Sequence, residues 1–187
     1  MPKKINSELL FTTTVRLFAE HGYGACTTQA IAAAAGVGEV TIFRRYGNKA
    51  GLIEAALAHC LPRTPFGNLT ATDDVLADLT AILRAYAQTF GEFGGAVITL
   101  LTDAPRHPEL GAAVATLMPN MMQGAMIIAS HQAAGRIGAG DPLQKLLILI
   151  APIMATGLFS RIANAPETVV LAPEMLAEVF LKGHIPR

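Results

Sequence analysis

Residues 27–52 read TTQAIAAAAGVGEVTIFRRYGNKAGL, and the order of residue types in this stretch decides the fold. Thr27 and Thr28 precede an alanine-rich run, where a hydroxyl caps a helix by accepting from an orphan backbone N–H. Gln29 to Ala35 is a strong helix former. Gly36 falls where a helix end needs a left-handed residue, and Val37 follows as the apolar plug of the turn. A second helix then starts at about Gly38. Ile42 and Tyr46, four apart, share its inner face near Val37, which turns Glu39, Val40, Thr41, Arg44 and Arg45 elsewhere. Two short helices joined by a tight glycine turn form the unit that places a recognition helix in the DNA major groove.

Outward from this core the chain reads as helices with no convincing strand. A first helix spans about Ser7 to Glu20, with Leu10, Thr13 or Thr14, Leu17 and Phe18 inward. Asn48 caps a fourth helix that continues to about Cys60. Pro62 to Asp73, with two prolines, a glycine and polar turn formers, reads as a linker and divides 1–60 from 61–187. From Asp73 or Asp74, Leu76, Leu79, Leu83, Tyr86 and Phe90 repeat at helical spacing until Gly91, Gly94 and Gly95 break or bend the run. A short helix over about Ala96 to Thr102 follows, then a turn marked by Pro105, His107 and Pro108. The next helix runs from about Pro108 to Ala134 with a kink expected at Pro119. A loop over Gly135 to Gly140 leads to a helix from Asp141 to about Ala163, with Pro142 in its first turn. A last helix starts at Pro173 and ends near Lys182. The total is about nine helices in an all-α chain.

The N-terminal segment resembles the DNA-binding domain of the TetR family of bacterial transcriptional regulators, from about Ser7 to Leu57. Its elements stand in register as Leu17-Phe18, Gly22, Thr27-Thr28, Ile31-Ala32, Ala35-Gly36-Val37, Thr41-Ile42-Phe43, Tyr46, Lys49 and Leu52. The resemblance implies a three-helix helix-turn-helix domain over 1–60 and a helical effector-binding and dimerisation domain over 61–187. It implies backbone contacts to DNA from Thr28, Phe43 and Lys49. Thr27, Gln29, Glu39, Val40, Thr41, Arg44 and Arg45 complete the expected DNA-binding set, with Arg44 the first choice for base readout because arginine binds guanine bidentately. Three positions depart from the pattern. Gly38 stands where a serine cap is frequent, Glu39 where a basic or amide residue is common, and Ala50-Gly51 replace helix-favouring residues.

Composition bounds the rest. The 187 residues carry no net charge; 15% are charged, against about 25% in an average domain, and 52% are apolar. Lys3, Lys4, Arg16, Arg44, Arg45 and Lys49 outweigh Glu8, Glu20, Glu39 and Glu54 by two in residues 1–62. So mild a basic excess predicts modest nonspecific DNA affinity and reliance on a few placed contacts. Cys26 and Cys60 share no metal-ligand spacing with His21, His59, His107, His131 or His184, and a disulfide between them stays open. The resemblance implies a reducing bacterial cytoplasm and therefore free thiols, with no cofactor. No signal peptide is visible, and the apolar stretch Leu146 to Phe159 is shorter than the about 20 residues of a bilayer span, so no membrane is expected.

The partners implied are a double-stranded DNA operator, a small-molecule effector and a second copy packed through about 142–163 and 173–182. An effector site is expected among Leu83, Tyr86, Phe90, Leu101, Met118, Met121, Met122 and Met126, with Thr89, Gln123 and His131 as polar candidates. Methionines are adaptable gap fillers, and the scarcity of charge favours a largely apolar effector. The expected function is a repressor released from a palindromic operator by that effector. The alternative is a small-molecule-binding helical protein of the same fold that acts through a protein partner without sequence-specific DNA binding. An enzyme built on Asp103, Arg106 and His107 is disfavoured, because their turn reads as a helix stop and start and no nucleophile or metal set accompanies it.

Overall fold

Asn6 opens the first helix, α1 (Ser7–Ala25), by accepting the Leu9 N–H at 3.1 Å. The computed structural model describes residues 6–162 and 171–184. Among them are nine α-helices and no strand. The all-α expectation therefore holds, while several boundaries move. Helix α1 runs past Glu20 to Ala25, and the expected stop survives only as a kink at Gly22, whose φ of 73° is open to glycine.

Helices α2 (Thr28–Ala35), α3 (Glu39–Tyr46) and α4 (Lys49–Cys60) follow in the expected places. Helix α5 (Val75–Asp103) is one continuous helix, so Gly91, Gly94 and Gly95 neither break it nor free a separate helix over 96–102. The reason is packing. Phe90, Phe93, Ala96 and Leu100 are all buried, and their burial outweighs the roughly 1 kcal/mol that each helical glycine costs.

The single helix expected over 108–134 is instead a 3-10 turn at Pro108–Leu110, α6 (Gly111–Ala115) and α7 (Met118–Ala133). Pro119 is the second residue of α7, where its missing N–H would be unpaired anyway, so it starts a helix rather than kinking one. Helices α8 (Pro142–Ile162) and α9 (Pro173–Gly183) complete the chain. Asp141 caps α8 by accepting the Gln144 N–H at 2.8 Å. Ala163, Lys3 and Lys4 lie outside the described residues.

The chain divides into two compact units. One comprises 1–63 with 93–118, the other 64–92 with 119–187. The first unit therefore holds more than the N-terminal 60 residues. Its core joins Leu10, Phe18, Ile31, Ile42, Leu52 and Leu57 to Phe93, Leu100 and Leu110. Truncating a ring as deeply buried as Phe18 to alanine costs about 3–5 kcal/mol. Both cysteines are buried in this unit, and Cys26 is a free thiol.

In the second unit, Leu79, Ile82, Leu83, Ile127, Ile128, Leu146, Leu149 and Ile150 are all buried. The segment read as a linker contributes to this core, since Phe66 is buried with its ring edge-on to Tyr86 at 5.2 Å between centroids. A buried polar set adds direction to this core. Asp78 accepts the Thr72 N–H at 2.7 Å, the Thr72 hydroxyl at 2.8 Å and His131 Nε2 at 2.8 Å. Arg136 Nε donates to His131 Nδ1 at 2.8 Å, which leaves Nε2 as the ring nitrogen that donates to Asp78. Burial alone would raise the Asp78 carboxyl, but the Thr72 and His131 hydrogen bonds together hold it below its ordinary value.

Candidate nucleic-acid interface

The first helix of the motif begins where Thr27 Oγ1 accepts the Ala30 N–H at 3.1 Å. It ends at Gly36, left-handed at φ 64°, with the Val37 N–H reaching back to the Ala32 carbonyl at 3.0 Å. This turn aims α3 away from α2. Gly38 supplies no side-chain cap, but its carbonyl accepts the Thr41 N–H at 2.9 Å and α3 forms regardless. Ile42 is buried and Tyr46 half-buried, its ring edge-on to Phe11 at 5.9 Å, so the inner face is the one that the spacing predicts.

The opposite face is bare. Val40 is 80% exposed and Phe43 46%, and Arg44 and Arg45 are exposed beside them. An exposed valine, a phenylalanine and two arginines on one two-turn helix form a surface with both apolar and bidentate donor character, which suits base edges and thymine methyls. Arg45 also lies over the Tyr46 ring, 5.7 Å from its centroid, so its guanidinium is partly held while that of Arg44 is not.

Thr27, Thr28 and Gln29 lie at the N-terminus of α2, where orphan amides and the helix dipole favour a phosphate. The Thr28 hydroxyl already donates to Glu39 Oε1 at 2.6 Å. This bond was not legible in the sequence, because nothing in a separation of eleven residues marks it. Thr41 is half-buried. Lys49 opens α4, and its Nζ donates to the Tyr23 carbonyl while sitting 4.1 Å from the centre of the Tyr23 ring. An ammonium has three donors, so two remain for phosphate oxygens. The ten expected DNA-binding residues therefore come from the N-termini of α2 and α4 and the outer face of α3, all in one compact unit.

Gly51 has a reason that the sequence did not disclose. A Cβ there would stand 2.3 Å from the Tyr46 carbonyl oxygen, so glycine permits the close return of α4 under α3. The residues of the DAPRHPE turn are likewise engaged in structure. Asp103 accepts the Tyr23 N–H at 2.8 Å, and the His107 ring packs on Tyr23 at 4.7 Å.

The residues expected to hold an effector differ in burial. Leu83, Tyr86 and Phe90 are buried in the second unit, whereas Leu101 and Met118 belong to the first and are exposed. Met122 and Met126 are exposed on α7 and Met121 is half-buried. Burial pushes the Tyr86 phenol up to about 12, so it stays neutral. Of the polar candidates, Thr89 Oγ1 accepts the Phe66 N–H at 3.3 Å, Gln123 Nε2 donates to the Leu69 carbonyl at 2.5 Å, and His131 is tied to Asp78.

Residues 10–56 match the profile described as bacterial regulatory proteins, tetR family. An HTH-type transcriptional regulator of Mycobacterium tuberculosis is 29% identical over 101 residues, which is 54% of this chain. The chain spans about half the length of that relative, 49%. A TetR-family transcriptional regulator from Rhodococcus sp. superposes with a TM-score of 0.72 at 18% identity, over 95% of this chain and 97% of its own. The fatty acid degradation regulator FadR from Bacillus halodurans superposes with a TM-score of 0.71 at 16% identity, over 93% and 95%. At such identities the likeness shows a shared fold.

Proposed function

Since residues 10–56 carry the DNA-binding domain of the tetR family of bacterial regulatory proteins and the chain has the fold of that family's regulators, we propose that it is a cytoplasmic repressor that binds a palindromic operator as a homodimer and is released by a small, largely apolar effector. The observation that carries the DNA-reading part is the bare outer face of α3, where Val40, Phe43, Arg44 and Arg45 have no core to serve. Arg44 reads a base, Lys49 and the α2 N-terminus hold phosphates, and Phe43 packs on the sugar-phosphate backbone.

Dimerisation is supported by α8 and α9. Leu146, Leu149, Ile150 and Ile153 bury one face of α8, yet the other carries Leu147, Ile148, Met154, Leu158 and Phe159, all exposed, and α9 adds Met175 and Val179. By length and composition α8 is apolar enough to cross a bilayer, with only 22% of its apolar window buried. A second copy covers the same surface while keeping the chain in water, and a two-fold axis sets two recognition helices about 34–36 Å apart on successive major grooves. Leu83, Tyr86 and Phe90 are the buried part of the proposed effector site, where the neutral phenol supplies one polar contact. Release requires the effector to bind the DNA-free state more tightly by about 1–3 kcal/mol.

Selection of bound duplexes from a random library by the purified protein at near-physiological salt tests this reading. An enriched palindrome supports it. Enrichment of no sequence favours the alternative, a helical small-molecule binder acting through a protein partner.

A further inference from the structure

We propose that Tyr23 and Asp103 are positioning residues for DNA binding, which hold the Lys49 ammonium where it meets a phosphate. The inference rests on the phosphate-contact role of Lys49. Its basis is a chain of contacts within one compact unit that joins the end of α5 to the start of α4.

The chain begins at Gly22. Its φ of 73° and ψ of 171° kink α1, and the following N–H, that of Tyr23, donates to Asp103 Oδ2 at 2.8 Å. Asp103 is the last residue of α5. The same Tyr23 residue meets Lys49 twice, its carbonyl oxygen accepting one N–H and the face of its ring drawing the charge, 4.1 Å from Nζ. A lysine head is otherwise a strongly hydrated charge on a flexible stem, and ordering it on binding DNA costs side-chain entropy. Here two contacts on one residue fix its direction and leave two donors open.

Tyr23 is itself clamped from several sides. Its amide is held by Asp103, its ring packs against His107 at 4.7 Å, and its phenol donates to Glu109. Burial, then the neighbouring Glu109 carboxylate, push the phenol above its ordinary value, so it remains a donor. Glu109 is held low by its own backbone N–H and by Tyr23 and His107, so it remains an acceptor. The position of Lys49 therefore follows the C-terminal turn of α5 through one tyrosine. A displacement of that turn reaches a DNA contact without unfolding the helix-turn-helix.

The test is a double-variant cycle in the full chain, titrated against a labelled random-sequence duplex at several salt concentrations. Lys49→Ala should weaken binding and flatten the salt slope by about 0.9, the value for one phosphate contact. Asp103→Ala should weaken binding about 3- to 10-fold and flatten the slope in the same sense, yet change affinity by less than about 1.5-fold when Lys49 is already alanine. The sign is informative, because loss of a carboxylate acting only through charge would strengthen attraction to DNA. Tyr23→Leu, which keeps the carbonyl and loses the ring, gives the same cycle should Asp103→Ala fail to fold. Equal losses with and without Lys49, or tighter binding, would overturn the positioning role. A Lys49→Ala variant with unchanged slope would overturn the phosphate contact itself, a separate failure visible before Asp103 is compared.

Discussion

The Thr28 hydroxyl donates to Glu39 Oε1 at 2.6 Å, so the first residue of α2 is tied to the first residue of α3 across the turn of the DNA-binding motif. The carboxylate thereby takes up the proton that Thr28 would offer to a phosphate. It also places a negative charge beside the face that meets DNA. Glu39→Ala removes both effects and should tighten binding to random duplexes about 3- to 10-fold. Glu39→Gln keeps an acceptor for Thr28 and removes only the charge, so it should recover part of that gain. Weaker binding by the alanine variant would mean that Glu39 orients Thr28 for DNA rather than withholding it.

Arg44 differs from Lys49 in what its loss should do. It is exposed on α3, whereas Arg45 leans on the Tyr46 ring. Arg44→Ala should relax preference at one base pair of each half-site, at about 1–3 kcal/mol of discrimination, and leave affinity for random DNA nearly unchanged. Equal losses on selected and random duplexes would remove it from base readout.

Gly51 was legible in the sequence only as a missing helix former. Its role depends on the Tyr46 carbonyl, 2.3 Å from where a Cβ would sit, and no local pattern encodes that approach. Gly51→Ala should therefore destabilise the protein by about 1–3 kcal/mol despite alanine's better helix propensity, read as a lower midpoint in thermal or urea unfolding. A higher midpoint would show that α4 shifts freely to make room.

The same contrast runs through the whole chain. Local chemistry marks the capping of α2 and α4, the left-handed Gly36 and the Ile42–Tyr46 face, because each depends on residues a few positions apart. Helix α5 defeats that kind of reading. Three glycines near its middle look like a break, and only burial of Phe90, Phe93 and Leu100 explains why it continues. The long-range bonds Thr28–Glu39 and Tyr23–Asp103 have no local sign at all. Met118, Met122 and Met126, grouped in the sequence as adaptable gap fillers for an effector site, are exposed on their own chain, and no local pattern tells an exposed methionine from a buried one.

Asp78 makes the second unit sensitive to acid. The residue is 3% exposed, and its carboxyl accepts from Thr72 twice and from His131 and lies below its ordinary value in the folded state. A depressed carboxyl adds stability that is fully present above the unfolded value, near pH 4, and is lost as pH falls through the lower folded value. Asp78→Asn should cost about 1–3 kcal/mol at neutral pH and shrink the loss of stability below pH 4, measured by urea unfolding across pH. An undiminished acid transition would place the responsible carboxylate elsewhere.

Phe159 is 70% exposed on the face of α8 that also carries Leu147, Met154 and Leu158, and Val179 on α9 is 63% exposed. Since neither side chain serves the core of its own chain, a charge at either position tests the pairing surface with little effect on the fold. Phe159→Glu and Val179→Glu should shift the protein from dimer to monomer in sedimentation or light scattering while leaving its helical signal intact. Affinity for a full palindrome should then fall toward that for a single half-site, because the second reading head no longer binds at high effective concentration. A wild-type chain that sediments as a monomer and still selects a palindrome would locate the pairing on the DNA rather than on these helices.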